Sequence, residues 1–441
     1  MSVLYIYLSV YQKKEKMLDL KYIRENPELV KKAVLDKQEN CDIGVILELD
    51  VKRREIIADK EALEAQKNRV SKEIAAAKKE KLDASKLISD MRQTGEKIAG
   101  LSEKLRDVES KLNDLLLTVP NMPYPDVPVG EDESANKIIG YIGDKREFDF
   151  KPRPHWQVGE IIGGLDIPRG VKISGSGFYS LIGPGALLER ALINFMLDLH
   201  TGEHGYTEVM IPYLAGTEAM TGSGQLPKYE EDMYRLPADE LYLIPTAEVP
   251  VTNLHLGEIL KAEGLPINYC AFSPCFRREA GSYGKEVRGI TRVHQFHKVE
   301  MVKIVEPDTS YDELENLLAN ARAVLDKLDL PYRINLLCAG DLSFAAAKCY
   351  DLEVFAPGMD AWLEVSSCSN FESFQARRMN LRYRPEKGAK LEFVHTLNGS
   401  GLALPRTVIA ILENYQQADG SVAVPEVLAP YMRGLERIEP I

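Results

Sequence analysis

Apolar residues recur at every seventh position from Leu49 through Ile56, Leu63 and Val70 to Ala77. A second stripe runs through Leu87, Met91, Ile98, Leu101, Leu105, Val108, Leu112 and Leu115 in a four-three rhythm broken only at Thr94. Spacing of this kind keeps one helix face apolar and predicts coiled-coil helices. Between the stripes, residues 80–85 (EKLDAS) are polar and suit a tight turn. The pattern therefore predicts two antiparallel helices in one hairpin over residues 45–117. Helices of about 30 residues reach on the order of 45 Å. A dimerisation coiled coil fits the same stripes.

Residues 119–130 (VPNMPYPDVPVG) hold four prolines and cannot continue a helix, which predicts a linker and a domain boundary. Beyond it, to about residue 425, amphipathic helices alternate with β-rich runs. Strands are predicted at residues 241–244, 269–278, 290–305 and 361–366. Several follow one another with no helix between them, which predicts an α+β domain built on an antiparallel sheet with flanking helices. The chain thus divides into residues 1–16, an extension of no catalytic importance; 17–118, a helical arm; 119–130, a linker; and 131–441, the sheet domain.

The chain has 441 residues, 45% of them apolar, so a large core is affordable, and its net charge of −12 argues against a simple nucleic-acid coat. Locally the balance differs. Residues 51–81 carry ten basic and six acidic side chains, a positive stretch that fits either a solvated face or a phosphate-backbone contact. The six cysteines form no C-x-x-C pair and no disulfide framework, which points to a reducing, cytoplasmic setting. No apolar run approaches the roughly 20 residues of a membrane span, and the start places its apolar patch before its lysines, the reverse of a signal peptide. His200 and His204 have zinc-ligand spacing, but Thr201-Gly202 is expected to interrupt the helix and no further ligand is evident, so no zinc is expected.

Four segments carry candidate chemistry. Phe276-Arg277-Arg278-Glu279 ends one β-rich run, and RVHQFHKVEM returns after a polar tip at residues 280–289. In a regular hairpin Arg277 and Glu279 share one face, as do Arg292, Phe296 and Glu300. Two cations, a ring and carboxylates suit a nucleotide, with arginine on phosphate, the ring on a base and a carboxylate on an amine. A surface ion-pair ladder is the alternative. Asn398-Gly399-Ser400-Gly401 leads into an apolar helix with Pro405 in its first turn and Arg406 nearby. That arginine needs a partner, either an internal carboxylate or a ligand phosphate. Glu364, on the strand AWLEVSS before Asn370, fits Mg²⁺ held jointly with phosphates, or a buried ion pair with arginine. Thr246-Ala247-Glu248 is either an extended segment with Thr246 and Glu248 on one side or a helix N-cap.

Taken together and in this order, the paired-helix arm, TAE, FRREAG…RGITRVHQFHKVEM, EVSSCSNF and LNGSGLALPRT resemble the class II aminoacyl-tRNA synthetases and, among them, the seryl-tRNA synthetase family, from about Met17 onward. The resemblance implies a class II catalytic domain with an N-terminal antiparallel coiled-coil arm, and a ligase that activates L-serine with ATP and transfers it to tRNA(Ser), with tRNA(Sec) as a second substrate where that tRNA exists. It implies that Arg277 binds the ATP α-phosphate, Glu279 accepts from the adenine amine, Phe296 stacks on adenine, Arg406 lies on the other face or near the γ-phosphate, and Arg292 contacts phosphates. Arg278, Val293, Val365 and Ser366 complete the ATP-binding set, Arg278 with its side chain turned away. Glu364 and Ser367 would hold Mg²⁺. Thr246, Ala247, Glu248, Arg277, Glu300, Asn398 and Ser400 would form the serine site, Glu300 pairing with the ammonium. Residues 187–212 resemble the dimer-forming motif, which implies a homodimer, and the arm would lie along the long variable arm of the tRNA. Leu404-Pro405 stands where many relatives have a glycine beside the arginine, and Arg278 where some have serine.

Overall fold

The computed structural model describes residues 19–280 and 288–441, so the expectations for residues 1–16 and for most of the 280–289 tip lie outside the described residues. Two compact units divide between Pro120 and Asn121.

The first unit is helical: α1 (Leu20–Glu25), α2 (Pro27–Asp36), α3 (Ile43–Lys79) and α4 (Ser85–Leu116). The Asp42 carboxylate accepts from Gly44 N at 2.8 Å and starts α3. The first helix ends where Lys81 adopts a positive φ of 57°, inside the predicted turn. Arg53 Nε meets Glu109 Oε1 at 3.0 Å towards one end of the pair, and Ser71 Oγ meets Met91 Sδ at 3.4 Å towards the turn. Early residues of α3 therefore face late residues of α4, and the helices are antiparallel. Ile56, Ile74, Val108 and Leu112 are buried along the seam. The 37 and 32 residues of the two helices correspond to about 55 and 48 Å. Thr94, the break in the stripe, turns its hydroxyl onto the Asp90 carbonyl at 2.9 Å and so sits in the seam without an unpaired donor.

The second unit begins with the proline-rich segment. Its buried Asn121 donates to the carbonyls of Ala345 (2.8 Å) and Phe371 (2.9 Å), and Tyr124 N donates to Ala347 O at 2.8 Å. This segment is thus fastened to the unit that follows it. The main sheet has eight strands: β1 (Lys137–Ile142), β2 (Thr207–Glu208), β3 (Ile267–Phe276), β4 (Gln295–Val305), β5 (Tyr332–Leu336), β6 (Lys348–Ala356), β7 (Ala361–Asn370) and β8 (His395–Ala403), in the spatial order β1-β5-β6-β7-β8-β4-β3-β2. Every pairing is antiparallel except the short edge pair β2–β3. Helices α5 (Pro184–Gly202), α6 (Ser310–Lys327) and α7 (Leu404–Asn414) pack Leu192, Met196, Leu317, Val324 and Val408 into one core with Val299, Met301, Leu352 and Leu397 of the sheet. On β4 the even-numbered Phe296, Lys298 and Glu300 then face the other way. This is the α+β antiparallel fold expected.

Several predicted boundaries move. Residues 241–244 do form a strand, Leu241–Leu243, but in a separate three-stranded sheet. The strand expected from residue 290 starts at Gln295, because Ile290 is buried and His294 N is engaged by Gly177 O. Arg277 and Arg278 lie past the end of β3, so the hairpin is not regular to its tip. Thr201 and Gly202 finish α5 rather than interrupting a longer helix.

Candidate active site

The exposed face of the sheet carries a cleft of about 580 Å³ lined by Thr246, Glu248, Arg277, Glu279, Arg292, Val293, Phe296, Lys298, Glu300, Glu364, Val365, Ser367, Asn398, Ser400 and Arg406, among others. All four candidate segments meet in it. Regular pleating alone would not achieve this, and two β-bulges account for it. On β7 Glu364 pairs with Glu353 and Ser366 with Leu352, leaving Val365 as an extra residue. The parity of β7 flips there, so Glu364 and Ser367, three positions apart, share the cleft. On β8 Ser400 pairs with Glu300 and Leu402 with Val299, leaving Gly401 extra. Asn398 and Ser400 face the cleft before the flip and Ala403 after it.

One end of the cleft is cationic. Arg277 donates from Nε to Pro245 O at 3.3 Å, and its guanidinium lies 5.2 Å from the Phe296 ring centre. Glu279 turns back at a positive φ of 52°, and its carboxylate accepts from Arg292 Nη1 at 3.3 Å. Arg406, in the first turn of α7, donates to Thr291 O (3.3 Å) and Glu364 O (2.7 Å), and its Nη1 lies 3.3 Å from Glu364 Oε2. The internal carboxylate partner raised by the sequence is therefore present. Opposite Ser367 on β6, burial and then the Glu364 carboxylate push Asp351 well above the usual carboxylate range.

The other end is small and polar. Lys298 forms an ion pair with Glu300, and its Nζ donates to Thr246 Oγ1 at 2.9 Å. Thr246 Oγ1 also accepts from Glu248 N at 3.2 Å, which starts the short helix Glu248–Thr252. The segment turns into a helix rather than staying extended, but its cap is Ala247, which makes no side-chain cap bond, and Thr246 acts from the residue before it. Glu248 is buried; desolvation, and then the Glu300 charge, push its carboxyl from 4.5 up to about 7. Gln375 Nε2 donates to Glu248 Oε1 at 2.6 Å, while Gln375 Oε1 accepts from Thr396 at 2.7 Å, fixing the amide.

Three residues expected in the site do not line the cleft. Arg278 is exposed, with its N–H on Asp232 O. Ala247 is buried at the helix start. Ser366 is buried on the wrong side of the β7 bulge and donates to Ser400 O at 2.6 Å.

Comparison with known proteins follows the division of the chain. Residues 17–123 match the family model for the seryl-tRNA synthetase N-terminal domain, and residues 231–415 match that for the class II tRNA synthetase core domain (G, H, P, S and T). The serine–tRNA ligase of Geobacter sulfurreducens is 54% identical over 422 residues, covering 96% of this chain and 100% of the relative. The chain belongs to the seryl-tRNA synthetase family. Among solved structures of that family, seryl-tRNA synthetase from Pyrococcus horikoshii complexed with ATP matches with a TM-score of 0.90 at 37% identity, covering 96% of this chain and 99% of that one. The cytoplasmic serine–tRNA ligase of Naegleria fowleri in complex with AMP matches with a TM-score of 0.86 at 31% identity, covering 97% of this chain and 99% of that one.

In this member of the seryl-tRNA synthetase family, several cleft residues were not singled out by sequence. Lys298 is the clearest, although it stands between Phe296 and Glu300 on the same strand parity. Asp232 lines the cleft, and its carboxylate accepts from Ala280 N at 2.8 Å. Asp232, in the cleft, and Gln375, which lies outside its lining but holds Glu248, come from distant segments with no local signature, and only the tertiary fold brings them in.

Proposed function

We propose that this chain activates L-serine with ATP in the cleft and transfers it to tRNA(Ser). The observation that carries the reading is the meeting of Arg277, Arg292, Arg406 and Phe296 with Glu364 at one end of a cleft whose other end is a small polar pocket. Arg277 binds the α-phosphate, Phe296 stacks on adenine with Arg406 on the other face or near the γ-phosphate, Arg292 adds a phosphate contact, and Glu279 accepts from the adenine amine. Opening of the Arg406–Glu364 and Arg292–Glu279 pairs accompanies nucleotide binding. Thr246, Glu248, Glu300, Asn398 and Ser400 surround the amino acid, Glu300 taking its ammonium. A pocket with this many polar groups rejects a substrate without a hydroxyl, because those groups would go unpaired.

The serine carboxylate attacks the α-phosphorus in line, the bond to the β-phosphate oxygen breaks, and pyrophosphate leaves. A terminal ribose hydroxyl of the tRNA then attacks the acyl carbon and AMP departs. The protein supplies positioning and charge stabilisation, and no covalent nucleophile is needed. Mg²⁺ belongs to the same proposal. The cleft-facing Glu364 carboxylate and Ser367 hydroxyl are hard oxygen donors, and Asp351, raised first by burial and then by the Glu364 charge, lies opposite Ser367 on the neighbouring strand. Bound there, the ion would neutralise phosphate charge.

Residues 17–118 serve as the tRNA-binding arm, their basic stretch at 51–81 meeting phosphates of the long variable arm, with 119–130 connecting to the catalytic residues 131–441. A homodimer formed through residues 187–212 is supported by apolar side chains left exposed nearby, Met210 at 92% and Ile173 at 78%. Charging of tRNA(Sec), where present, falls under the same proposal. A cytoplasmic location is supported by six unpaired cysteines. No helix among the described residues is long and apolar enough to cross a membrane.

ATP–pyrophosphate exchange measured with each of the twenty amino acids tests the reading. Serine alone should support exchange, and total tRNA should then accept serine. Exchange with another amino acid would assign a different synthetase. Activation of serine with charging of a carrier protein and not of tRNA would assign a ligase of another kind, and no exchange at all would leave a non-catalytic binding protein.

A further inference from the structure

We infer that His155 is a positioning residue for ATP: buried beneath the cleft, it tethers the chain that returns through Gly289 to Arg292. The inference rests on the proposal that Arg292 and its neighbours grip the nucleotide.

His155 is fully buried, and its two ring nitrogens have fixed and different duties. Nε2 lies 3.1 Å from the main-chain N of Ile290. An N–H can only donate, so Nε2 is the unprotonated, accepting nitrogen. Nδ1 therefore carries the proton and donates to Glu413 Oε1 at 3.0 Å. The same oxygen accepts from His155 N at 2.8 Å, while Oε2 accepts from Gly358 N (2.8 Å) and Met359 N (3.1 Å). Four N–H groups thus immobilise the carboxylate that orients the ring, an arrangement in which a buried acid fixes the tautomer of a histidine whose other nitrogen does the holding.

The held chain passes very close. Gly289 has a φ of 77°, and a Cβ at that position would lie 2.0 Å from His155 Nε2, so glycine is required on both counts. Ile290 is buried with Val293, Leu165 and Ile409, and Arg288 sits 4.7 Å from the ring of Trp156, which in turn stacks edge-on against His155.

Helix α7 anchors this chain twice. From its first turn Arg406 reaches Thr291 O, and from its last turn Glu413 acts through His155 on Ile290 N. When Arg406 turns to ATP, the first anchor is surrendered. The second acts through His155 and Glu413, neither of which lines the cleft, and keeps Arg292 in place. His155 and Trp156 both lie outside the residues matched by the core-domain model.

The test combines amide exchange with steady-state kinetics on the full-length enzyme. In His155→Phe the amide of Ile290 should lose its protection while β4 keeps its own, the KM for ATP should rise about tenfold, and the KM for serine should change less than about twofold. His155→Gln, whose side-chain oxygen can still accept from Ile290, should restore most of the ATP affinity. If His155→Phe fails to fold, Gly289→Ala displaces the same chain while leaving His155 and Glu413 unchanged, and the same ATP-selective rise is expected. An unchanged KM for ATP in a folded variant, or equal rises for ATP and serine, overturns the inference. Failure of the unaltered enzyme to activate serine would instead remove the functional proposal, while protection of the Ile290 amide would still report on the tether.

Discussion

Arg406 donates to the main-chain carbonyl of Glu364 at 2.7 Å and faces that residue's carboxylate at 3.3 Å. The guanidinium proposed for ATP thus holds the acid proposed for Mg²⁺ before either arrives. Glu364→Gln keeps the main-chain contact and removes the charge. Its side chain is solvent-facing, so the fold should be unaffected, while the Mg²⁺ concentration for half-maximal exchange should rise at least about tenfold. A magnesium titration of the exchange rate checks this, and an unmoved midpoint would remove Glu364 from the metal's ligands.

Arg277 is the guanidinium assigned to the α-phosphate. Arg277→Ala should lower serine-dependent exchange by more than about a hundredfold, in line with the loss of a preorganised charge at a developing transition state. Circular dichroism and the melting temperature should stay near those of the unaltered protein, because among the described residues the side chain makes one long hydrogen bond, to Pro245 O at 3.3 Å, and one ring contact, with Phe296. Near-normal exchange would refute the assignment.

Glu248 makes stability depend on pH. Its carboxyl is raised in the fold from 4.5 to about 7, so the folded state holds a proton that the unfolded chain has released. The associated stability is fully present below about 4.5 and is lost as pH rises through about 7, a span worth on the order of 3 kcal/mol. Urea unfolding between pH 5 and 8 should show a declining midpoint that flattens in Glu248→Gln. Parallel slopes for the two proteins would contradict the burial argument.

Lys298 neutralises Glu300 inside the small polar end of the cleft, proposed for the amino acid. Lys298→Met retains the stem and removes the charge, leaving Glu300 and Glu248 to repel one another. The KM for serine should rise about tenfold or more while the KM for ATP changes little, and the protein should also lose stability, because breaking a buried pair leaves an uncompensated charge. Exchange kinetics with each substrate varied in turn give the comparison.

The arm was the most legible part of the chain, because a seven-residue apolar repeat determines the helix face; the hairpin rested on the polar break at residues 80–85, since the stripes alone fit a dimerisation coiled coil as well. The break at Thr94 was visible only as an interruption of the stripe, and its hydroxyl bond to Asp90 O came with the structure. The cleft face of β4 was legible for a similar reason: alternation along an uninterrupted strand places Phe296 and Glu300 together, and would have placed Lys298 with them. Glu364 stood out as a carboxylate among apolar neighbours, but its partnership with Ser367 was reached through family resemblance, since plain alternation puts the two on opposite sides. The helix start at Glu248 was left undecided because three residues satisfy either conformation until Lys298 approaches Thr246. Arg278 and Ser366 look like their functional neighbours in sequence, and only the chain's exit from β3 and the extra residue in β7 turn them away.

Those extra residues, Val365 and Gly401, set a limit on how the protein can vary. Drawing either into the ladder as a paired residue would make the sheet more regular, yet every side chain beyond it would swap sides, carrying Ser367 away from Glu364 in one case and Ala403 away from Ser400 in the other. At these two positions it is the unpaired state of the extra residue that keeps the proposed site residues on one face.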